Sequence, residues 1–181
     1  MRELRLRAVW LIVIPFLWFS SPSFGVLATG ALVVALGLGM RAWAAGTIRK
    51  DEALTTTGPY AFTRNPLYFG SLFIGVGVAV AGGHWVWPAV FLIFYIVVYS
   101  RTIASEGRQL GKRFPDLYAT YSIEVPSFLP RVTPYRASGV ADDPSAGFRW
   151  SQYRRNREWE ASLGALATFG FLAAKVVLQV D

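Results

Sequence analysis

The sequence predicts an all-α, polytopic integral membrane protein from its composition, its charge distribution and the spacing of its turn signals. Of the 181 residues, 54% are hydrophobic and only 16% are charged, and the mean hydropathy is +0.38. This composition leaves too little polar surface for a water-soluble domain of the same size. Because no internal repeat divides the chain, a single domain over residues 1–181 is expected.

A first pair of helices follows from the charge-free run over residues 8–40. The run is too long for one bilayer crossing of about 20 residues, and the turn-forming letters SSPSFG at residues 20–25 interrupt it. We therefore predict a helical hairpin. The start of the chain also resembles a secretory signal, but Pro22 near the would-be cleavage position and the second apolar run favour a retained helix.

A second hairpin and a last helix follow from the same kind of pattern. Residues 65–100 are apolar and are broken at GGH, residues 82–84, while Pro88 is tolerated in the first turn of the next helix. Residues 161–180 are interrupted only by Lys175, which can snorkel from near the helix end. We expect about five transmembrane helices, some of them short, as two hairpins plus a C-terminal helix over about residues 160–180.

The distribution of Lys and Arg predicts the orientation. Nearly all of them lie at the N-terminus, around the loop at residues 47–64 or in residues 101–157, whereas both hairpin turns carry no charge. Cytoplasmic loops are enriched in these residues, so this side is expected to face the cytoplasm. The formal net charge of +7 is then explained by topology and by contact with anionic membrane lipids, and no nucleic-acid partner is expected.

Two residue types limit the chemistry. The chain has no cysteine, which excludes disulfides, thiolate metal sites and a cysteine nucleophile. It has one histidine, His84, so a histidine-based metal site is not expected either. We predict no metal site.

The stretch TTTGPYAFTRNPLYFG, residues 55–70, has the strongest local signals. Gly58 and Pro59 predict a turn, and Pro66 predicts a helix start with Asn65 as its N-cap. The backbone N–H groups and the positive dipole end of that helix favour an anion. A capped membrane helix with interfacial aromatic residues is an equally acceptable interpretation of the same residues.

The fourth helix is predicted to leave the membrane. From Trp85 no breaker occurs before Gly111, so the helix carries Arg101 and Glu106 to the polar side and ends near Pro115. A short amphipathic helix over DLYATY and a proline-rich extended segment follow. Glu106 is either a site residue or an ion-pair partner of neighbouring arginines, worth under about 1 kcal/mol.

Residues 54–70 and the stretch EGRQLGKRFPDLYATYSIEVPSFLP at residues 106–130 together resemble a known family. They are similar to the core of the isoprenylcysteine carboxyl methyltransferases and the related phospholipid N-methyltransferases, which are membrane enzymes that use S-adenosylmethionine. The resemblance covers about residues 52–130. Residues 132–159 lie outside it and are polar and partly basic, so we interpret them as a cytoplasmic linker on anionic lipid that could also help to close a ligand pocket.

The resemblance implies a cofactor pocket for S-adenosylmethionine on the cytoplasmic side. The residues that it implies are Glu52, Ala53, Leu54, Thr55, Tyr60, Asn65, Pro66, Leu67, Tyr68 and Glu106. A family arginine that positions the substrate aligns best with Thr102, so Arg101 takes that role only if the helix is rotated by one position. Three positions depart from the family pattern: Asn65 replaces a histidine and cannot titrate, Gly107 replaces a second glutamate, and Pro115 replaces a glycine.

The implied function is methylation of a lipid or lipid-linked small molecule, at the carboxylate of an isoprenylcysteine-like molecule or at a phospholipid amine. A carboxylate nucleophile is already ionised at neutral pH and needs no general base, so alignment, worth up to about 7 to 11 kcal/mol, supplies most of the catalysis. Tyrosine rings are suited to the sulfonium cation. Two alternatives remain open: an NADPH-dependent, sterol-reductase-like enzyme, and a non-enzymatic membrane partner protein.

Overall fold

The computed structural model describes residues 2–49, 53–136 and 147–178, with side chains from residue 11 onward. Over these residues the fold consists of helices without strands, so the predicted all-α class is confirmed. The helices are α1 (Arg2–Phe19), α2 (Phe24–Thr47), a 3₁₀ helix (Gly58–Ala61), α3 (Pro66–Ala81), α4 (Val86–Arg113), α5 (Pro115–Glu124), α6 (Trp150–Arg155) and α7 (Trp159–Leu178).

Three of these helices are long and apolar enough to cross a membrane, namely α2 with 24 residues, α4 with 28 and α7 with 20. Helix α3 is apolar but has only 16 residues, which is below the roughly 20 residues of a typical crossing. Helix α1 has 18 residues with Pro15 inside it. The protein is therefore polytopic and integral to the membrane, while the count of five crossings stays a prediction.

Both hairpin turns lie at one end of the bundle, which we call the turn end. There the backbone N–H of Ser21 donates to the carbonyl of Gly82 over 3.0 Å. The Nζ of Lys175 in α7 donates to the carbonyls of Trp18 (3.2 Å) and Ser20 (2.6 Å) at the end of α1. Lys175 thus binds carbonyls that have no partner within their own helix, while its snorkelling to a membrane surface stays a prediction.

Helices from different predicted hairpins form the closest pair. Helix α2 packs along α3, while α7 lies against both and α4 packs on α3. At the turn end, four helices contribute to one buried cluster of Phe16, Leu27, Ala81 and Leu172. The opposite end, which we call the polar end, holds the start of α3 and of α7 and the end of α2.

The segment at residues 147–158 is more than the linker that the sequence predicted. It contains α6, which packs on α2. The backbone N–H of Arg149 donates to the carbonyl of Gly46 over 2.9 Å, and the Asn156 side chain donates to the carbonyl of Ala45 over 2.8 Å. The second half of the predicted linker is therefore docked onto the last turn of α2.

Candidate functional site

The loop before α3 is held by a second segment, residues 126–135, which we call the strap. The backbone N–H of Arg64 donates to the carbonyl of Pro126 over 3.0 Å, and that of Arg131 donates to the carbonyl of Phe62 over 2.9 Å. The Thr63 hydroxyl, only 1% exposed, donates to the carbonyl of Phe128 over 2.9 Å. The predicted turn is thus fixed by a segment more than sixty positions away.

Asn65 occupies the N-cap position of α3 with Pro66 in the first turn, as predicted, but its side chain makes no capping hydrogen bond. Instead, its Nδ2 donates to the carbonyl of Ser127 in the strap over 2.8 Å. The capping role proposed from the sequence is therefore wrong. The first N–H groups of α3 therefore have no side-chain cap, and they lie at the positive dipole end of the helix. This arrangement favours an anionic group of a ligand at the start of α3.

The hydrogen bond of Asn65 to the strap changes which substitutions at position 65 are expected to be tolerated. Asp and Ser are good N-caps, yet neither reproduces the amide N–H that binds the strap. We expect Asn65→Asp to lower the free energy of unfolding by about 1 to 2 kcal/mol, since the Ser127 carbonyl loses its donor. Asn65→His, which keeps a ring N–H, should lose less.

Thermal unfolding and limited proteolysis of the strap in detergent measure both effects. Wild-type behaviour of Asn65→Asp and Asn65→Ser, with loss only in Asn65→His, would restore the capping role.

Three tyrosines and one carboxylate join α3 to α4, and we call them the tyrosine–glutamate cluster. The Tyr68 hydroxyl in α3 donates a short hydrogen bond to Oε1 of Glu106, and the Tyr68 ring meets that of Tyr99 at 5.3 Å. Tyr99 stacks on Tyr95 with 4.3 Å between ring centroids, and the Tyr95 hydroxyl donates to the Tyr68 carbonyl over 2.6 Å. Glu106 remains exposed, so the cluster is open to a ligand.

One face of α4 carries this cluster. Positions 95, 99, 102 and 106 recur at spacings of four and three residues and therefore lie on one side of the helix. Thr102 shares that side, and its hydroxyl donates to the carbonyl of Val98. Arg101 is exposed and lies one position off this face, so its role in substrate positioning stays a prediction.

The remaining predicted residues lie in two places, the first turn of α3 and the segment after α2. Pro66 is buried and Leu67 half-buried in the first turn of α3. Ala53 and Thr55 form hydrogen bonds with the backbone of Arg49 after the end of α2, and Leu54 between them is half-buried. Glu52 lies outside the described residues.

Tyr60 supplies a hydroxyl without a partner. The residue is 6% exposed, and its backbone carbonyl accepts from the Tyr121 hydroxyl over 2.6 Å. The Tyr60 hydroxyl itself is buried and makes no hydrogen bond. Burial raises the pKa of Tyr60 well above its ordinary value, and Tyr121, Glu158 and Glu106 nearby raise it further. Tyr60 is therefore a neutral phenol whose hydrogen-bonding capacity is unused.

Gly107, which stands where the resemblance expects a second glutamate, leaves space beside α4 that the Tyr118 side chain occupies. A Cβ added at Gly107 would lie 2.8 Å from the Tyr118 hydroxyl, which accepts from Nη1 of Arg64 over 2.9 Å. The Arg64 guanidinium also lies over the Tyr118 ring at 5.6 Å. Gly107 thus admits Tyr118 beside α4, and Tyr118 gives Arg64 an acceptor.

A cavity of about 240 Å³ lies apart from the tyrosine–glutamate cluster, between α2 and the segment leading into α7. Arg41, Tyr153, Glu158 and Ser162 supply its polar lining. Its volume is below the roughly 300 to 1,000 Å³ of most small-molecule sites. The tyrosine–glutamate cluster, by contrast, reaches the surface at Glu106, whereas Tyr95 is buried. Among the described residues, no group of three or more His, Asp or Glu could hold a metal ion.

Sequence reasoning missed Tyr95, Tyr99 and the ion pair of Arg41 with Glu158. The two tyrosines had a usable signal, because they lie at i and i+4 in a mostly aliphatic span, on the same helix face as Glu106. The pairing of Arg41 with Glu158 had no such signal in the sequence, because 117 positions separate the two residues.

The fold and the site define a class: a helical membrane protein with a polar, tyrosine-rich site where a short apolar helix begins. The family profile of the phospholipid methyltransferases matches residues 18–116. The chain belongs to this family, and the resemblance seen in the sequence is confirmed.

Three curated relatives are similar to the chain. A cobalt-zinc-cadmium resistance protein of Cupriavidus metallidurans is 32% identical over 146 residues, which are 73% of this chain and 67% of the relative. A nickel-cobalt-cadmium resistance protein of Alcaligenes xylosoxydans xylosoxydans is 32% identical over 126 residues, 68% of this chain and 57% of the relative. A protein-S-isoprenylcysteine O-methyltransferase of Schizosaccharomyces pombe is 32% identical over 83 residues, 46% of this chain and 35% of the relative. No solved structure matches.

Proposed function

We propose that the protein is an S-adenosylmethionine-dependent methyltransferase that acts on a lipid or lipid-linked small molecule at the membrane surface. The tyrosine–glutamate cluster is the observation that carries this proposal. A hydrogen-bonded carboxylate beside tyrosine rings is suited to a cation, and it lies at the start of α3, whose N–H groups are suited to an anion. Membership of a methyltransferase family supports the same chemistry.

The residues present fit two charged groups of the cofactor, the sulfonium and the amino-acid carboxylate. The rings of Tyr68 and Tyr99 and the carboxylate of Glu106 would hold the sulfonium, and the first turn of α3 would hold the amino-acid carboxylate. The unused hydroxyl of Tyr60 offers a further hydrogen bond. When bound, S-adenosylmethionine supplies an activated methyl group on a positively charged sulfur.

The chain's own residues contribute position and charge. The strap fixes the loop that carries Asn65, and Tyr95 fixes the backbone of Tyr68, so the cluster is held before any ligand binds. Such preorganisation favours near-attack alignment. The apolar faces of α3 and α4 lead from the cluster towards the membrane, and a lipophilic substrate would approach along them. An isoprenylcysteine-like carboxylate and a phospholipid amine are both compatible with this approach.

Two of the relatives are named as metal-resistance proteins, which raises the question whether this chain itself could bind a metal. Their names describe resistance to cobalt, zinc, cadmium and nickel. This chain has no cysteine and one histidine, which is a poor ligand set for those metals. We therefore favour methylation of an organic acceptor over direct binding of a metal.

Titration of the purified, detergent-solubilised protein with S-adenosylmethionine and, separately, with NADPH tests the proposal. Saturable binding of S-adenosylmethionine alone supports it. Binding of NADPH alone would establish the reductase alternative, and binding of neither would favour the non-enzymatic partner protein. Addition of labelled methyl donor to membrane lipid extracts then identifies the acceptor class.

We further propose that the polar end faces the cytoplasm, because it collects most of the Lys and Arg residues. A reporter fused after residue 181 is expected outside the cytoplasm, opposite a reporter inserted at residues 137–146. Protease protection in membrane vesicles measures both positions. Finding both reporters on the same side would remove the crossing by α7.

A further inference from the structure

We propose that Glu158 is a positioning residue: through Arg41 it fixes the first two turns of α3, which present Asn65 and Tyr68 to the site. This inference rests on the proposed function for its catalytic meaning. Its structural content, the coupling of residue 158 to the start of α3, is independent of any ligand.

Arg41 lies at the junction of three segments of the chain. In α2, its Nε and Nη2 donate to the two carboxylate oxygens of Glu158, each over 2.8 Å. Its Nη1 reaches the other way, to the Leu67 carbonyl over 3.3 Å and to the Ser71 hydroxyl oxygen. One planar guanidinium therefore joins the start of α7 to the start of α3, and its fork geometry fixes both directions at once.

The joint is sheltered from solvent. The side chain of Glu158 is 8% exposed and that of Arg41 is 22% exposed. A pair that is largely desolvated is screened little by salt and depends strongly on geometry, unlike an exposed pair. Loss of the carboxylate leaves the guanidinium without its counter-charge, and it must then move towards water or another acceptor. Either movement removes Nη1 from Leu67 and Ser71.

The position of Leu67 links this joint to the site. Leu67 lies between Pro66 and Tyr68 in the first turn of α3, and the carbonyl that Arg41 holds belongs to the same turn as the Tyr68 side chain. A shift of this turn would move the Tyr68 hydroxyl relative to Glu106, which is carried by a different helix. Glu158 thus acts on the cluster without touching it.

Glu158 lies outside residues 18–116, the part of the chain that the family profile matches. The docking of residues 147–158 through Arg149 and Asn156 brings this carboxylate to α2. The C-terminal segment therefore adds a helix to the family core and also helps to position the residues of that core.

Hydrogen exchange and cofactor binding on the full-length protein in lipid nanodiscs test the inference. The variant is Glu158→Gln, and the double variant Arg41→Gln/Glu158→Gln covers the case in which the single change leaves a charge that prevents folding. The matched control is Glu160→Gln, the same chemical change at an exposed glutamate paired with Arg157 on the surface.

Amide exchange is compared over residues 66–74 at the start of α3, over α7 and over the turn end. Both Glu158 variants are expected to increase exchange at the start of α3 and to weaken S-adenosylmethionine binding by about 2- to 30-fold, the range for residues that couple through a packed network. The Glu160→Gln control should match the wild type in both measurements.

Increased exchange confined to α7 would overturn the inference, because the ion pair would then anchor that helix alone. Absence of S-adenosylmethionine binding in the wild type, with increased exchange at the start of α3 in the variants, would reject the proposed function and keep the coupling. Unchanged exchange at the start of α3 in both variants would reject the coupling whatever the cofactor does.

Discussion

Glu106→Ala is expected to weaken S-adenosylmethionine binding by about 1.5 to 3 kcal/mol, which is the range for hydrogen bonds to charged groups. At about 1.4 kcal/mol per factor of ten, this corresponds to a loss of about 10- to 150-fold. The physical reason is that Glu106 is the carboxylate of the tyrosine–glutamate cluster, and a bound cation would shield it from water. Folding should be little affected, because Glu106 is exposed and lies within a long helix.

Two further variants separate charge from hydrogen bonding. Glu106→Gln keeps an acceptor for the Tyr68 hydroxyl and should lose less affinity if hydrogen bonding dominates. Tyr68→Phe keeps the ring and the charge of Glu106 but removes the hydroxyl that holds the carboxylate in place. An intermediate loss in Tyr68→Phe would show that the position of the carboxylate matters as well as its charge.

Calorimetry on purified protein measures these affinities, with the melting temperature as the control for folding. Glu160→Ala is the matched control, because Glu160 is also an exposed glutamate and pairs with Arg157 on the surface, away from the strap. Equal affinity in a well-folded Glu106→Ala protein would make Glu106 a surface charge. The methyltransferase proposal would then rest on the loop and the start of α3.

The helices could largely be predicted because their signals are local. The charge-free runs and their Gly, Ser and Pro breaks gave the order of the helices, and Pro66 and Pro115 lie in the first turns of α3 and α5. The fourth helix also continues past Glu106 and ends just before Pro115, as predicted, because α4 spans Val86–Arg113. Glu106 and Tyr68 were both named from the sequence, and the structure brings them into direct contact.

The remaining features depend on contacts between distant segments. Asn is a favoured residue type at an N-cap, yet the Asn65 side chain binds the Ser127 carbonyl of the strap, and no local sequence pattern indicates a partner 62 positions away. The docking of residues 147–158 was likewise hidden, since its polar and basic composition is also that of a lipid-facing linker. Helices α2 and α3 belong to different hairpins in the arrangement that charge and turn signals predict. Their pairing depends on small side chains at the contact, which those signals do not report.

That pairing leads to the second large effect: Gly30→Ala is expected to destabilise the protein by about 1 to 3 kcal/mol, the usual cost of overpacking. Gly30 in α2 faces Gly77 in α3, and an added Cβ would lie 2.5 Å from the Gly77 carbonyl oxygen. Seven residues further along α2 and seven residues back along α3 the contact recurs, because a Cβ at Gly37 would lie 2.7 Å from the Gly70 carbonyl oxygen. In both cases the obstacle is backbone, which cannot rotate away.

Gly39→Ala in the same helix is the matched control, because an added Cβ there meets no atom within 4 Å. This change should be neutral or stabilising by up to about 1 kcal/mol, since alanine is the better helix former. Unfolding in mixed detergent micelles, followed by circular dichroism, compares the two alanine variants. Equal midpoints for Gly30→Ala and Gly39→Ala would show that α2 and α3 do not touch at this glycine. Because small residues allow close helix packing in membranes, the larger Gly30→Leu change should separate the helices.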